Sequence, residues 1–255
     1  MKTDVKILAH RGGMGRAPEN TIAAFQQTLD DGADAFECDV CLTRDEEPVL
    51  IHTKFDDGDI KPVTGCTTPL RQLDWTDVRR LNVLNSSQPV AHLDQMLSFV
   101  EESGLPCFLE PKSGSERLIT LVVDRIRRFN LEEKVSVLTF YLHREILTHV
   151  KRIAPNINTS AIIINPMADF LSAARAINAD RIIIGWSGLN HFAIYNSLVQ
   201  SLPRKVRQLK AAGVSIEGGF VQNRRDVEWT LKNGIRRLWT DDVPETRAYV
   251  QDINI

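Results

Sequence analysis

Five residues able to do acid–base or metal chemistry fall where apolar runs end: His10 after KILA, Glu37 and Asp39 in AFECDV, His52 after VLI, and Glu110 after CFL. Glu37 and Asp39 are two apart and so share one face of a strand; Glu110 and Lys112 do the same if the strand runs through Pro111. Carboxylates converging on one point repel unless a cation joins them. An all-oxygen set suits a hard ion, Mg²⁺ or Ca²⁺, with water or substrate oxygens completing the shell. Phosphoryl transfer needs positive charge around the nonbridging oxygens, a base for the nucleophile and an acid for the leaving alkoxide. Arg11 and Lys112 supply charge beside this set, and histidine suits both proton roles near neutral pH. Singly, a strand-end carboxylate or histidine is more often a cap or a structural group; the gathering of five is what points to a site.

Gathering them requires elements that end at one face. Short β-rich runs alternate with helical patterns, and Gly32, Gly104, Gly213 and Gly234 each stand where a helical stretch stops. The pattern predicts strands at 5–9, 35–40, 48–51, 106–109, 135–139, 158–164, 181–185, 214–220 and 235–240, one more than eight. It predicts helices at 21–31, 94–103, 115–129, 143–154, 167–177, 198–212, 223–233 and 243–252. Runs such as VSVL and RIIIG are apolar throughout, as in parallel strands covered on both faces. Strict β–α alternation over 255 residues, with no G-x-G-x-x-G at the first turn, favours a single (β/α)8 TIM barrel over a doubly wound sheet. The C-terminal ends of its strands would then form a shared mouth. The irregular segment from Thr53 to Asp74 reads as an insertion decorating that mouth.

Composition narrows the partners. With 31 basic and 33 acidic residues, the chain lacks the basic excess of a nucleic-acid binder. The apolar stretch ending at Ala9 is too short for a signal peptide or a membrane span, so a cytoplasmic protein is expected, with no stable membrane insertion and no amphipathic membrane-binding segment. Residues Cys38 and Cys41 form a C-x-x-C, but residues three apart on a strand face opposite ways and no second pair completes a zinc site. Disulfides are not expected. His92, His143, His149 and His191 lie in predicted helices or loops and read as capping or solvent-facing. Oligomeric state is not encoded in these patterns.

The motifs H-R-G at 10–12, P-E-N-T at 18–21, E-x-D-V at 37–40, V-L-I-H at 49–52, L-E-x-K at 109–112 and W-T-D-x-x-P at 239–244 resemble the glycerophosphodiester phosphodiesterase family, in family order along nearly the whole chain. The resemblance implies a TIM barrel with an insertion after the second histidine, a divalent metal, and hydrolysis of a glycerophosphodiester to glycerol 3-phosphate and an alcohol. It further implies that Glu37, Asp39 and Glu110 hold the metal, that His10 and His52 are the acid–base pair, and that Arg11 and Lys112 contact phosphate. Glu19 and Asn20 would tie the first loop together or reach the metal shell. Attack by the glycerol 2-hydroxyl through a cyclic phosphate and attack by water both fit, and neither histidine is marked as acid or base.

Two departures matter. Thr53 stands where the family usually has aspartate, removing a carboxylate beside His52. VSIEGGFVQN, from Val214 to Asn223, replaces a W-T-V-N-like strand; Glu217 or Phe220 occupies that region, and the substrate wall is left open. Phe140 is the preferred wall residue, ahead of Trp186 and Tyr141. Asp241 would face the mouth or, with Thr240, cap the last helix. The same residues would serve a lysophospholipase D, a sphingomyelinase D-like lyase, or a barrel that binds a phosphate ligand without turnover.

Overall fold

In a computed structural model, residues 4–186 and 188–253 are described. Their strands are β1 (Lys6–Ala9), β2 (Ala35–Leu42), β3 (Pro48–Leu50), β4 (Ala91–His92), β5 (Cys107–Pro111), β6 (Val135–Phe140), β7 (Thr159–Ile163), β8 (Arg181–Ile184), β9 (Ser215–Gly218) and β10 (Arg237–Thr240). Eight run parallel in the order β1-β10-β9-β8-β7-β6-β5-β2, and pairing of Leu8 with Ala35 and Ala9 with Phe36 closes the barrel. The helices are α1 (Ile22–Asp30), α2 (Lys61–Thr64), α3 (Trp75–Val78), α4 (Leu93–Ser103), α5 (Glu116–Arg128), α6 (Arg144–Ile153), α7 (Phe170–Ala176), α8 (Asn190–Val199), α9 (Leu202–Ala211), α10 (Arg224–Lys232) and α11 (Val243–Asp252). Local chemistry starts them: the side chains of Thr21, Ser115, Asp169, Asn223 and Asp242 each accept a backbone N–H from the first turn of their helix.

Three sequence expectations change. The surplus strand, β3, is not a barrel stave: it runs antiparallel to the overhanging end of β2, with Val40 opposite Leu50 and Leu42 opposite Pro48. An apolar run does not encode strand direction, so His52 arrives from above on a returning strand. The helix expected over 198–212 is α9, starting at Leu202, and a helix that was not expected, α8, precedes it, the two separated at Gln200, whose φ of 52° is left-handed. The segment expected to be irregular holds α2 and a 3-10 turn at Leu70–Gln72, and Ile60, Val63 and Leu70 join Val49, Val78 and Val90 in a small core of their own.

Alternation sorts the barrel interior into layers. Leu8, Phe108, Leu138, Ile162, Ile183 and Trp239 form an apolar plug, while their strand neighbours face the helices. One side-chain step below, fully buried Glu217 accepts from Arg237 Nε at 2.7 Å and Trp239 Nε1 at 2.8 Å, with Arg181 Nε at 3.6 Å. Glu217 is therefore a brace of the barrel floor and no part of a substrate wall. One side-chain step above the plug, the same strands carry His10, Glu37 and Glu110.

Glu217→Ala would leave two guanidinium groups and an indole N–H without their buried acceptor, and it should lower unfolding free energy by about 3–5 kcal/mol. Urea denaturation monitored by tryptophan fluorescence checks this; an unchanged midpoint would mean that the floor network is not a brace.

Candidate metal and acid–base site

The top layer of the barrel brings the sequence-nominated carboxylates together. Glu37 and Asp39 from β2 and Glu110 from β5 are buried, with one oxygen of each lying within 4.8 Å of the others. The parallel register makes this unavoidable, because Asp39 sits directly beside Glu110 and Glu37 is one inward-facing step below. Their charges are partly answered by cations. Lys112 Nζ lies 3.3 Å from Asp39 and 3.2 Å from Glu110, and Arg11 Nε lies 3.3 Å from Asp39. Glu37 Oε2 accepts the Arg11 backbone N–H at 2.9 Å, but its buried Oε1 has no partner among the described residues. An all-oxygen cluster with one buried oxygen unsatisfied fits a hard divalent cation.

Two residues in the left-handed region shape the first loop: Arg11 (φ 49°) and Asn20 (φ 57°). Gly12 between them allows the turn, since a Cβ there would lie 2.8 Å from the Phe25 ring. Arg11 pairs with Glu19 at 2.9 Å. Buried Asn20 donates to Asp39 at 3.0 Å and accepts the Asp39 backbone N–H at 2.9 Å. Both Glu19 and Asn20 thus stand behind the cation and carboxylate that face the mouth: Glu19 orients Arg11, and Asn20 locks Asp39.

The histidines flank the cluster and differ in support. His10 donates from Nδ1 to Asp241 at 2.8 Å, which leaves Nε2 as the free nitrogen, 3.9 Å from Glu37. Asp242 rather than Asp241 caps α11, so the carboxylate after β10 is free to orient His10. His52 has no hydrogen-bond partner among the described residues. Thr53 turns away into the insertion core, its hydroxyl 3.5 Å from Cys41 Sγ, and Asp56 and Asp57 are exposed. A groove of about 300 Å³ opens at His52, lined also by Arg11, Glu19, Pro62, Val63 and Leu84. Another cavity, about 260 Å³, lies on the far side of Lys112 and touches neither histidine.

The apolar wall stands on the His10 side. The Phe220 ring is 4.3 Å and the Trp186 ring 5.3 Å from the imidazole. Phe140 joins the same cluster; Tyr141 instead packs toward the helices, with Arg144 over its ring. Of the two residues the sequence offered in this region, Phe220, just beyond the end of β9, is the one beside His10. The other histidines stay outside: His92 caps α4, His143 stacks on Phe55, His149 pairs with Glu116, and His191 meets the Ile164 carbonyl. Cys38 and Cys41 face different cores, and all four cysteines are free.

Burial governs the protonation of this site. Desolvation, then the charges of Asp39 and Glu110, hold Glu37 well above the ordinary carboxylate range. Burial also pushes Glu110 up to about 7, against the pull of Lys112. For Asp39, burial is outweighed by Lys112 and Arg11, and its carboxyl sits low. Burial lowers His52 to about 4 and lowers His10 as well, the Asp241 bond opposing the latter shift. Both imidazoles are neutral at pH 7 without ligand.

The chain resembles known proteins in sequence and in fold. Residues 10–245 match the sequence model of the Glycerophosphoryl diester phosphodiesterase family. A glycerophosphodiester phosphodiesterase of Caldanaerobacter subterraneus subsp. tengcongensis is 25% identical over 253 residues, covering 94% of this chain and 95% of that protein. The fold resembles a phosphodiesterase from Oleispira antarctica solved in complex with the product sn-glycerol-3-phosphate, with TM-score 0.81, 17% identity and 97% of each chain covered. It also resembles the glycerophosphodiester phosphodiesterase of Thermotoga maritima, with TM-score 0.76, 16% identity, and coverage of 98% of this chain and 99% of that one.

A carboxyl raised by the fold favours the folded state while protonated. The contribution of Glu110 is therefore complete below its ordinary value of 4.5 and is lost as pH rises through about 7. The lowered histidines act with the opposite sign over the same interval, so the net melting temperature is no test, but stabilisation of chelator-treated protein by added Mg²⁺ or Ca²⁺ should grow from about pH 5.5 to about pH 8. Scanning fluorimetry reads this; an ion-induced stabilisation that does not grow with pH would contradict the protonation scheme.

Proposed function

The chain belongs to the glycerophosphoryl diester phosphodiesterase family, and we propose that it hydrolyses glycerophosphodiesters to glycerol 3-phosphate and an alcohol as a single TIM-barrel domain with an insertion after His52. The observation carrying this reading is the buried carboxylate triad between two neutral imidazoles, with Arg11 and Lys112 alongside. Glu37, Asp39 and Glu110 would hold Mg²⁺ or Ca²⁺, both oxygen-seeking ions. When bound, the ion supplies Lewis-acid charge to the phosphate.

The protein's own groups do the rest. Arg11 and Lys112 hold the nonbridging oxygens. His10 is the base: its Nδ1–H is anchored on Asp241, so the imidazolium formed when Nε2 takes the proton of the attacking oxygen, either water itself or the glycerol 2-hydroxyl with water then opening the cyclic phosphate, is stabilised where it arises. His52 is the acid on the leaving-alcohol side, where the groove opens. A phosphate anion beside it favours its protonated form and offsets the burial that otherwise keeps it neutral. Trp186, Phe220 and Phe140 pack against the glycerol carbons and exclude water. Support for a water-soluble small-molecule substrate comes from the groove's size and from the glycerol 3-phosphate seen in the Oleispira antarctica phosphodiesterase.

Three outcomes are expected when purified protein is given glycerophosphocholine and glycerophosphoethanolamine and glycerol 3-phosphate release is followed. Chelation should abolish turnover and Mg²⁺ or Ca²⁺ should restore it. His10→Ala and His52→Ala should each lower kcat by about 10²–10⁴-fold without loss of fold. Asp241→Asn should lower kcat by roughly 10–100-fold, acting through His10. Near-normal turnover by His10→Ala would overturn the base assignment; no turnover under any metal, with tight binding of glycerol 3-phosphate, would point to a binding protein.

A further inference from the structure

The mouth carries a second feature that the reaction does not use. Leu142, Ile164, Met167, Ile194, Leu198 and Val199 are each between 52% and 79% exposed. They are not scattered. Leu142 follows β6, Ile164 and Met167 follow β7, and the other three lie on α8 after β8; these strands are consecutive in the barrel. Leu142, Ile164 and Met167 therefore sit on the C-terminal face that holds the carboxylate triad; α8 starts on that rim and runs toward the end of α10, where Asn196 donates to Asn233 at 3.3 Å. Hydrogen bonds tie the pieces together: His191 meets the Ile164 carbonyl at 2.9 Å, and Lys205 Nζ donates to the carbonyls of Pro166 and Ala168 at 2.7 and 2.8 Å.

Helix α8 is unusual for an exposed helix. Asn190–Val199 contains no lysine, arginine, aspartate or glutamate. Phe192 is buried and anchors it, while Ile194 and Leu198, one turn apart, point outward. Exposed apolar groups in a contiguous array mark a surface meant to be covered. The charge around them is one-sided: from Asn190 to Ala211, across α8 and α9, the chain carries four basic residues and no acidic one, in a protein of net charge −2. Arg204 and Arg207 of α9 are exposed beside the patch, as is Arg144 after Leu142. The neighbouring acids are Asp169, which caps α7, and Glu145. Protruding aliphatic side chains flanked by arginine fit a surface that is apolar below and anionic above.

We propose that this face docks on an anionic lipid surface, α8 entering the headgroup layer and the arginines meeting lipid phosphates. The docked barrel presents its mouth to the membrane. Sequence patterning did not find this segment because α8 has no polar stripe to give it helical periodicity. Among the described residues no helix is long and apolar enough to cross a membrane, so the contact is peripheral.

Co-sedimentation of the full chain with vesicles of phosphatidylcholine, alone or mixed with phosphatidylglycerol, tests the proposal independently of any turnover. Binding is expected to the mixed vesicles, to weaken with salt, and to be much lower on phosphatidylcholine alone. Ile194→Glu combined with Leu198→Glu should cut the partition by about tenfold or more, and Arg204→Glu with Arg207→Glu should remove the preference for phosphatidylglycerol. Hydrolysis of soluble glycerophosphocholine should be unchanged in both variants, which separates loss of docking from loss of fold. Equal partition of wild type and the Ile194/Leu198 variant, or no vesicle binding, would overturn the proposal. So would a wild-type dimer in sedimentation velocity that the same variant dissociates without any lipid contact, since the face would then belong to a second copy of the chain.

Discussion

Three carboxyl groups held within 4.8 Å of one another in a water-poor layer constitute the most demanding arrangement in this protein. Left charged and alone, they would repel strongly, because the low local dielectric magnifies every unit of charge. The surroundings answer that repulsion in stages. Lys112 and Arg11 neutralise Asp39, Asn20 fixes its orientation, and the remaining protons stay on Glu37 and Glu110. One oxygen, Glu37 Oε1, is left with no partner among the described residues. The left-handed backbone at Arg11 and Asn20, and the glycine between them, exist to deliver these groups to one point.

The second consequence of the same arrangement is the asymmetry of the histidines. His10 ends a barrel stave and is braced across the closure of the barrel by Asp241, a residue 231 positions away in sequence. His52 hangs from the antiparallel return of β3, held by strand pairing and by the small core of the insertion instead of by a carboxylate. In the proposed reaction, one imidazole takes up a proton and the other gives one up. The insertion matters to this chemistry because it is the support of His52, and Thr53 contributes by packing inward beside Cys41.

Much of this was legible in the residues. Apolar strand runs, helix-capping side chains and glycine stops locate all eight staves, because these signals are local. Inward-facing carboxylates two apart on β2 are equally local, and the barrel's topology converts them into a cluster. What was not legible depends on tertiary choice. The direction of β3 is set by the overhang of β2. Asp241 and Asp242 are chemically identical candidates for a helix cap, and only packing decides that Asp242 caps while Asp241 faces His10. Glu217 sits in a segment where a wall residue was sought, yet one step along the strand places it on the floor beside Arg237. Helix α8 lacks the polar–apolar alternation on which helix recognition rests, since its outer face is itself apolar.

The central claim is that the triad is a divalent-cation site at which the cation competes with protons for Glu37 and Glu110. Calorimetric titration of chelator-treated protein with Mg²⁺ or Ca²⁺, repeated in buffers of different ionisation enthalpy, measures ion binding and proton release together. The account predicts saturable binding with proton release at neutral pH, weakened by about tenfold or more in Glu37→Gln. Absence of binding, or binding in Glu37→Gln indistinguishable from wild type, would contradict it.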